Sequence, residues 1–261
     1  MDLGFAGRTV LVTGGSSGVG LATAGTLLDE GANVAICGRD AGRLAKAAGE
    51  LGHPGRLHVG VCDVRDPGAV QDLVDATAER FGGLDGLVNN AGQSRMKRYA
   101  ACTRDDWRDE LELKFDGVLN PLQAALPLLR ASATAAVVNV NAVLAKEPSP
   151  RLVTTSAARA GILNLSKSLS MELAADGIRV NSVCLGLIDT GQWERRHAAT
   201  AGDRSYDAWQ AELAVDRGIS LGRLGHAEEV AYAITTLLSP RASYITGTTL
   251  DVCGGISRAL A

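Results

Sequence analysis

The chain has 261 residues, 46% hydrophobic and 21% charged, with a formal net charge of −3. That is enough chain for a full core in one α/β domain, while the slightly acidic balance gives no basic field for nucleic acid. No apolar run approaches the ~20 residues of a membrane span, and Met1-Asp2-Leu3-Gly4-Phe5 lacks the basic start and apolar core of a signal peptide, so a cytoplasmic protein is expected.

Taken in order, an apolar run, Val10-Leu11-Val12-Thr13, ends in Gly14-Gly15-Ser16-Ser17-Gly18-Val19-Gly20 and passes into helix-like sequence. This predicts a strand, a tight turn and a helix start. Glycines permit the turn and a close backbone approach, and amides at a helix N-terminus favour a phosphate, so a dinucleotide pyrophosphate would fit; a βα loop that binds nothing has the same pattern. Short apolar runs at 9–13, 33–37, 57–61, 86–89, 136–140, 179–184 and 248–252 read as strands, with helical periodicity between them. Strands apolar on both faces and separated by helices imply a single doubly wound, Rossmann-type domain over 1–261, with a parallel sheet of about seven strands. Its ligand cleft should lie at the carboxyl ends of the strands, bringing Gly14–Gly20 and Asn89–Gly92 to one rim. The longest irregular part, about 187–224, is expected to be a lid. It carries Trp193, Glu194, Arg195, Arg196, Tyr206 and Trp209. Cys37, Cys62, Cys102, Cys184 and Cys253 form no C-x-x-C pair and are expected to be reduced and buried. His53, His58, His197 and His226 show no metal-ligand spacing, and no metal site is expected.

Thr13-Gly14-Gly15-Ser16-Ser17-Gly18-Val19-Gly20 and Asn89-Asn90-Ala91-Gly92 resemble the T-G-x-x-x-G-x-G turn and N-N-A-G stretch of the short-chain dehydrogenase/reductase family. The resemblance extends through Gly177-Ile178-Arg179-Val180-Asn181, Ile188-Asp189-Thr190, and Gly247 with Gly254-Gly255. It implies a nicotinamide cofactor held by Gly14, Ser16, Ser17, Gly18, Val19, Gly20, Asp63, Val64, Asn89, Ala91, Gly92, Arg159, Gly186, Ile188 and Thr190. Where NAD-using relatives carry an acid the chain has Gly38, followed by Arg39, so NADP(H) is favoured. If Arg39 instead lies on a solvated loop and Asp40 only caps the next helix, NAD(H) would serve. Asp63 has an alternative role as a helix cap ahead of Pro67.

Family enzymes use Asn, Ser, Tyr and Lys. By the same resemblance those positions hold Lys114, Ala142, Thr155 and Arg159. A threonine hydroxyl can orient a substrate but is too weak an acid to replace tyrosine. Arginine can anchor ribose hydroxyls, but its high pKa bars ordinary proton shuttling. Asn141 could orient a carbonyl if the strand end is bulged. Leu111, Lys114, Val118, Leu122 and Ala125 recur at helical steps, which points Lys114 inward. Near Arg159 and partly desolvated, its pKa would fall toward neutrality, making it a candidate proton donor; pairing with Glu110 or Asp116, or snorkelling, is the structural alternative. Pro121 and Pro127 should kink or end this helix.

These residues suggest an NADP(H)-dependent oxidoreductase acting on a carbonyl or alcohol, with an anionic small-molecule substrate favoured by two cations in one pocket. A catalytically silent nucleotide-binding relative and a non-redox lyase or isomerase are the alternatives. The family resemblance also implies a homodimer or homotetramer built through the helices of Lys114 and Arg159.

Overall fold

A computed structural model describes residues 2–259 of the chain. Seven strands, β1 (Thr9–Thr13), β2 (Asn33–Gly38), β3 (Leu57–Val61), β4 (Gly86–Asn89), β5 (Ala136–Ala142), β6 (Arg179–Leu185) and β7 (Thr249–Val252), form one sheet in the order β3-β2-β1-β4-β5-β6-β7. Every pairing is parallel. Helices α1 (Gly18–Asp29), α2 (Ala41–Leu51), α3 (Pro67–Phe81), α4 (Arg104–Ala131), α5 (Val153–Glu172), α6 (Gly191–Thr200), α7 (Tyr206–Arg217) and α8 (Ala227–Leu238) complete the domain. No helix among the described residues is long and apolar enough to cross a membrane.

The side-chain alternation of β1 shows why its centre, Val10-Leu11-Val12, is apolar at every position. Val10 and Val12 face a layer with Leu27, Leu28 and Ile234 of α1 and α8, while Leu11 faces the opposite layer with Leu73, Leu122 and Leu129 of α3 and α4. A sheet covered on both faces needs apolar residues at both parities. Strand order reverses between β1 and β4, so a crevice opens beyond their carboxyl ends.

Three local expectations change. The 187–224 segment is mostly helical: α6 and α7 pack through Trp193, His197, Tyr206 and Trp209, with Trp193 and Trp209 ring centroids 6.2 Å apart. Trp209 is buried in this small satellite core and is not free to cover a ligand. Helix α4 runs unbroken for 28 residues, so Pro121 and Pro127 do not end it. Its buried stripe enters through Glu110, not Leu111, which is 39% exposed. Of the five free cysteines, Cys37, Cys62 and Cys184 are buried, whereas Cys102 and Cys253 are only half-buried.

Candidate active site

The glycine turn is built by exclusion. A Cβ on Gly20 would stand 2.3 Å from the Gly14 carbonyl oxygen, and one on Gly15 would stand 2.6 Å from Ile36. Gly14 and Gly18 adopt φ of 67° and 55°, where L side chains are strained. The turn is tied to the β4 rim by Thr13. Its hydroxyl accepts from the Asn90 and Ala91 amides, each at 3.0 Å, while Asn90 Nδ2 donates to the Thr13 and Gly14 carbonyls at 3.0 and 3.2 Å. Ser17 precedes the first turn of α1 in extended conformation and makes no side-chain cap bond, so the first amides of α1, Gly18, Val19 and Gly20 among them, have no intrahelical partner. Thr190 lies over the turn, 3.3 Å from where a Gly18 Cβ would sit.

Beside the turn, Ser16 lies against Gly38 at the end of β2. Arg39 follows and is exposed. Asp40 caps α2 by accepting from the Arg43 amide at 2.9 Å. The Arg43 guanidinium in turn donates to Ser17 Oγ at 2.9 Å. Arg43 was not evident from sequence as a site residue; the signal is its place one turn into a helix whose cap is adjacent to Arg39. Across the crevice Asp63 is engaged by Arg65, whose hydrogen bonds hold its carboxyl below the usual carboxylate range. The α3 cap is Asp66, not Asp63, because Asp66 immediately precedes Pro67 and accepts from Gly68 and Ala69. Val64 and Ile188 are buried, and Gly186 packs so tightly that a Cβ would stand 2.8 Å from Cys253 Cα. Asn89 is also beneath the surface, where its Nδ2 donates to Asn139 Oδ1 at 2.8 Å and Asn139 continues to Ser166 Oγ at 2.8 Å, pinning α5 to the sheet.

Lys114 on α4 and Thr155 and Arg159 on α5 lie where those two helices pack. Lys114 is 6% exposed, and its Nζ donates to the Gln93 carbonyl at 2.5 Å. A Cβ on Gly92 would stand 3.3 Å from that Nζ, which places the ammonium against the N-N-A-G turn. Glu110, one helical turn earlier, lies 3.4 Å from Nζ through Oε1. Burial, reinforced by the Arg159 charge, pulls Lys114 down to about 8, with Glu110 opposing the fall. Arg159 is held through long contacts from NH1 to the Val140 carbonyl and Asn141 Oδ1, 3.4 and 3.5 Å, and its Nε has no partner. Thr155, one turn before it on α5, is fully buried with an unpartnered Oγ1.

Asn141 departs from expectation. Strand β5 stays in register through Ala142, paired with Leu185, so there is no bulge. The Asn141 amide points under the surface, donating to the Arg159 carbonyl at 3.0 Å and accepting from the Ala142 amide at 2.9 Å. It steadies Arg159 instead of facing a carbonyl. Glu110 has the opposite history: the sequence offers it only as an ion-pair partner, yet it is 2% exposed and its Oε1 accepts no hydrogen bond.

The glycine cradle, the free α1 amides and the exposed arginines Arg39 and Arg43 that follow β2 fit a dinucleotide carrying a 2′-phosphate, and the unpartnered Arg159 Nε fits a ribose acceptor. Comparison with known proteins adds relatives over nearly the whole chain. A family model described as enoyl-(acyl carrier protein) reductase matches residues 14–257. The 3-oxoacyl-[acyl-carrier-protein] reductase of Thermotoga maritima is 32% identical over 253 residues, covering 96% of this chain and 98% of that protein. An NADPH-bound short-chain oxidoreductase of Pseudomonas aeruginosa, described as containing an atypical catalytic center, is 46% identical with a TM-score of 0.93, covering 97% of this chain and 98% of that one. The L-sorbose reductase of Gluconobacter frateurii, complexed with NADPH and L-sorbose, is 30% identical with a TM-score of 0.94 and full coverage of both chains. Motifs, topology and relatives together make this chain a member of the short-chain dehydrogenase/reductase family.

Proposed function

We propose that the protein is an NADP(H)-dependent carbonyl reductase in which Lys114 takes over proton delivery from the absent tyrosine. The observation that carries this reading is a buried lysine, 6% exposed, held against Gly92 at the rim of the crevice with its ammonium near neutrality. NADPH, when bound, supplies the hydride to the carbonyl carbon. Lys114 Nζ gives its proton to the carbonyl oxygen, leaving an alcohol and a neutral amine that is reprotonated from solvent. Arg159, always cationic, anchors the ribose hydroxyls through Nε. Asn141 steadies Arg159 from below, and Thr155 offers its free hydroxyl at the back of the site. Arg39 and Arg43 take the 2′-phosphate through charge-assisted hydrogen bonds.

Helix α7 offers a tyrosine of its own, but Tyr206 is a poor substitute. Burial and the bond it donates to Asp189 push it up to about 12, away from the range of a useful acid at neutral pH.

The charge that would receive an anionic substrate also moves. Lys114 is compensated by Glu110, whereas Arg159 meets only a carbonyl and an amide oxygen; outside that pocket Arg151, Arg196 and Arg217 pair with no carboxylate among the described residues. Arg196 touches Met96, next to Lys97, which bridges to Leu152 beside Arg151. Burial, then the Arg217 and Arg151 charges, hold Arg196 below the usual arginine range. A carboxylate or phosphate on the substrate would relieve that repulsion. Exposed Met171 on α5 and Leu250 on the edge strand β7 support assembly into a homodimer or homotetramer, which light scattering of the purified protein tests.

A fluorescence titration with NADPH and NADH, followed by a panel of keto acids and their neutral esters, tests the whole reading. Selective NADPH binding and cofactor oxidation with a keto acid are expected. NADPH binding without turnover across the panel would point to the silent relative, and product formed without cofactor oxidation to a lyase or isomerase.

A further inference from the structure

The Glu110–Lys114 pair has features that packing alone does not require. Both side chains are nearly sealed, at 2% and 6% exposure, on the buried stripe of α4. Spacing of i, i+4 sets Glu110 Oε1 3.4 Å from Lys114 Nζ, yet this oxygen accepts no hydrogen bond. A carboxylate is expensive to bury, and leaving one of its oxygens unbonded adds to the cost. An apolar residue there would continue the stripe of Val118, Leu122 and Ala125 without that penalty. The other charges facing Lys114 are both positive: Arg159 from α5, and Arg95 from the loop after β4, itself bridged to Asp109 at 3.0 Å. Without Glu110, the Arg159 charge and, more weakly, that of Arg95 would act on the buried amine with no carboxylate beside it, favouring its neutral form.

We infer that Glu110 is the positioning residue of the site, holding the Lys114 amine charged and aimed at the Gly92 rim between turnovers. The inference rests on Lys114 being the proton donor. Glu110 itself touches neither substrate nor cofactor; it acts through Lys114 by charge and by fixing the side-chain rotamer, while the Gln93 carbonyl fixes the opposite side.

The test separates the pairing from the chemistry. Protein labelled with ¹³Cε,¹⁵Nζ-lysine gives a Lys114 signal, assigned by its loss in Lys114→Met, whose midpoint is read by NMR titration without any substrate. In the unmodified protein it should titrate near 8. In Glu110→Gln the midpoint should fall by about one to three pH units, the range expected for losing a partner at this distance in a partly screened interior. Glu110→Asp retains the charge one methylene further back and should titrate between the two; if Glu110→Gln does not fold, this smaller fall carries the test. The high-pH limb of the reduction rate should move with the NMR midpoint, which a merely structural role for Glu110 would not produce. A Lys114 midpoint unchanged in both variants overturns the inference. A midpoint that falls while the rate limb stays where it was upholds the pairing and removes Lys114 as proton donor.

Discussion

At the glycine-turn end of the crevice the groups that shape the site are hydrogen-bonded to one another: Thr13 to Asn90 and Ala91, Ser17 to Arg43, Asp40 to the α2 backbone. At the Lys114 end, Glu110 Oε1, Thr155 Oγ1 and Arg159 Nε are buried and have no hydrogen-bond partner, although Glu110 Oε1 lies 3.4 Å from the Lys114 ammonium. The first region is a shape made by backbone, with glycines where any side chain would collide. The second is a set of charges held out of water, whose behaviour depends on which neighbours are present. Shape of the first kind tolerates almost no substitution at its glycines. Charge of the second kind rests on side chains alone, here Glu110, Lys114 and Arg159.

The largest effect expected from breaking this contrast lies in the charged region. Lys114→Ala should lower kcat for reduction by about 10²–10⁴, equivalent to about 3–5 kcal/mol of barrier, with the NADPH dissociation constant little changed. Steady-state kinetics beside a binding titration separates the two parameters. In the backbone region the pattern reverses: Gly20→Ala drives a Cβ to 2.3 Å from the Gly14 carbonyl oxygen, and the resulting overpacking, worth about 1–3 kcal/mol, should weaken NADPH binding roughly ten- to hundredfold. Arg39→Ala should cost about tenfold in NADPH affinity and leave NADH untouched, since only the 2′-phosphate loses its charge-assisted bond. Smallest of the four, Arg196→Ala should raise KM for a keto acid a few-fold at low salt, as expected for a partly screened rim charge, and leave the matched neutral ester unaffected.

The same contrast explains what could be read before the fold was in view. Strands β1 to β7 are legible to within two residues of each end because the centre of a sheet covered on both faces is apolar at both parities, and turn residues bound each run. The glycine turn and the N-N-A-G stretch are legible for a related reason: few sequences satisfy positive φ and close approach together. Side-chain environment is less visible. The inward Lys114 follows from helical spacing, but the buried stripe of α4 is shifted by one residue, through Glu110 and not Leu111, and an isolated Glu at that point reads as solvated. Asn141 depended on a bulge that only the β5–β6 register could decide. Arg43 reaches Ser17 across 26 residues of sequence, a contact set by how α2 docks beside the turn. The helices of the 187–224 segment were hidden because their apolar residues serve a small local core of their own, with no long stripe toward the sheet.

The central claim is that a lysine near neutrality replaces a tyrosine as proton donor. Its most direct test is the pH dependence, from pH 6 to 10, of single-turnover hydride transfer from saturating NADPH to a keto acid, compared between the unmodified protein and Lys114→Ala. Because reduction needs the protonated amine, and Lys114 titrates at about 8, the rate should be level below that pH and fall about tenfold per unit above it. The variant should be slow and flat across the range. A variant that keeps the same high-pH limb at an undiminished rate would contradict the account and assign the proton to another group.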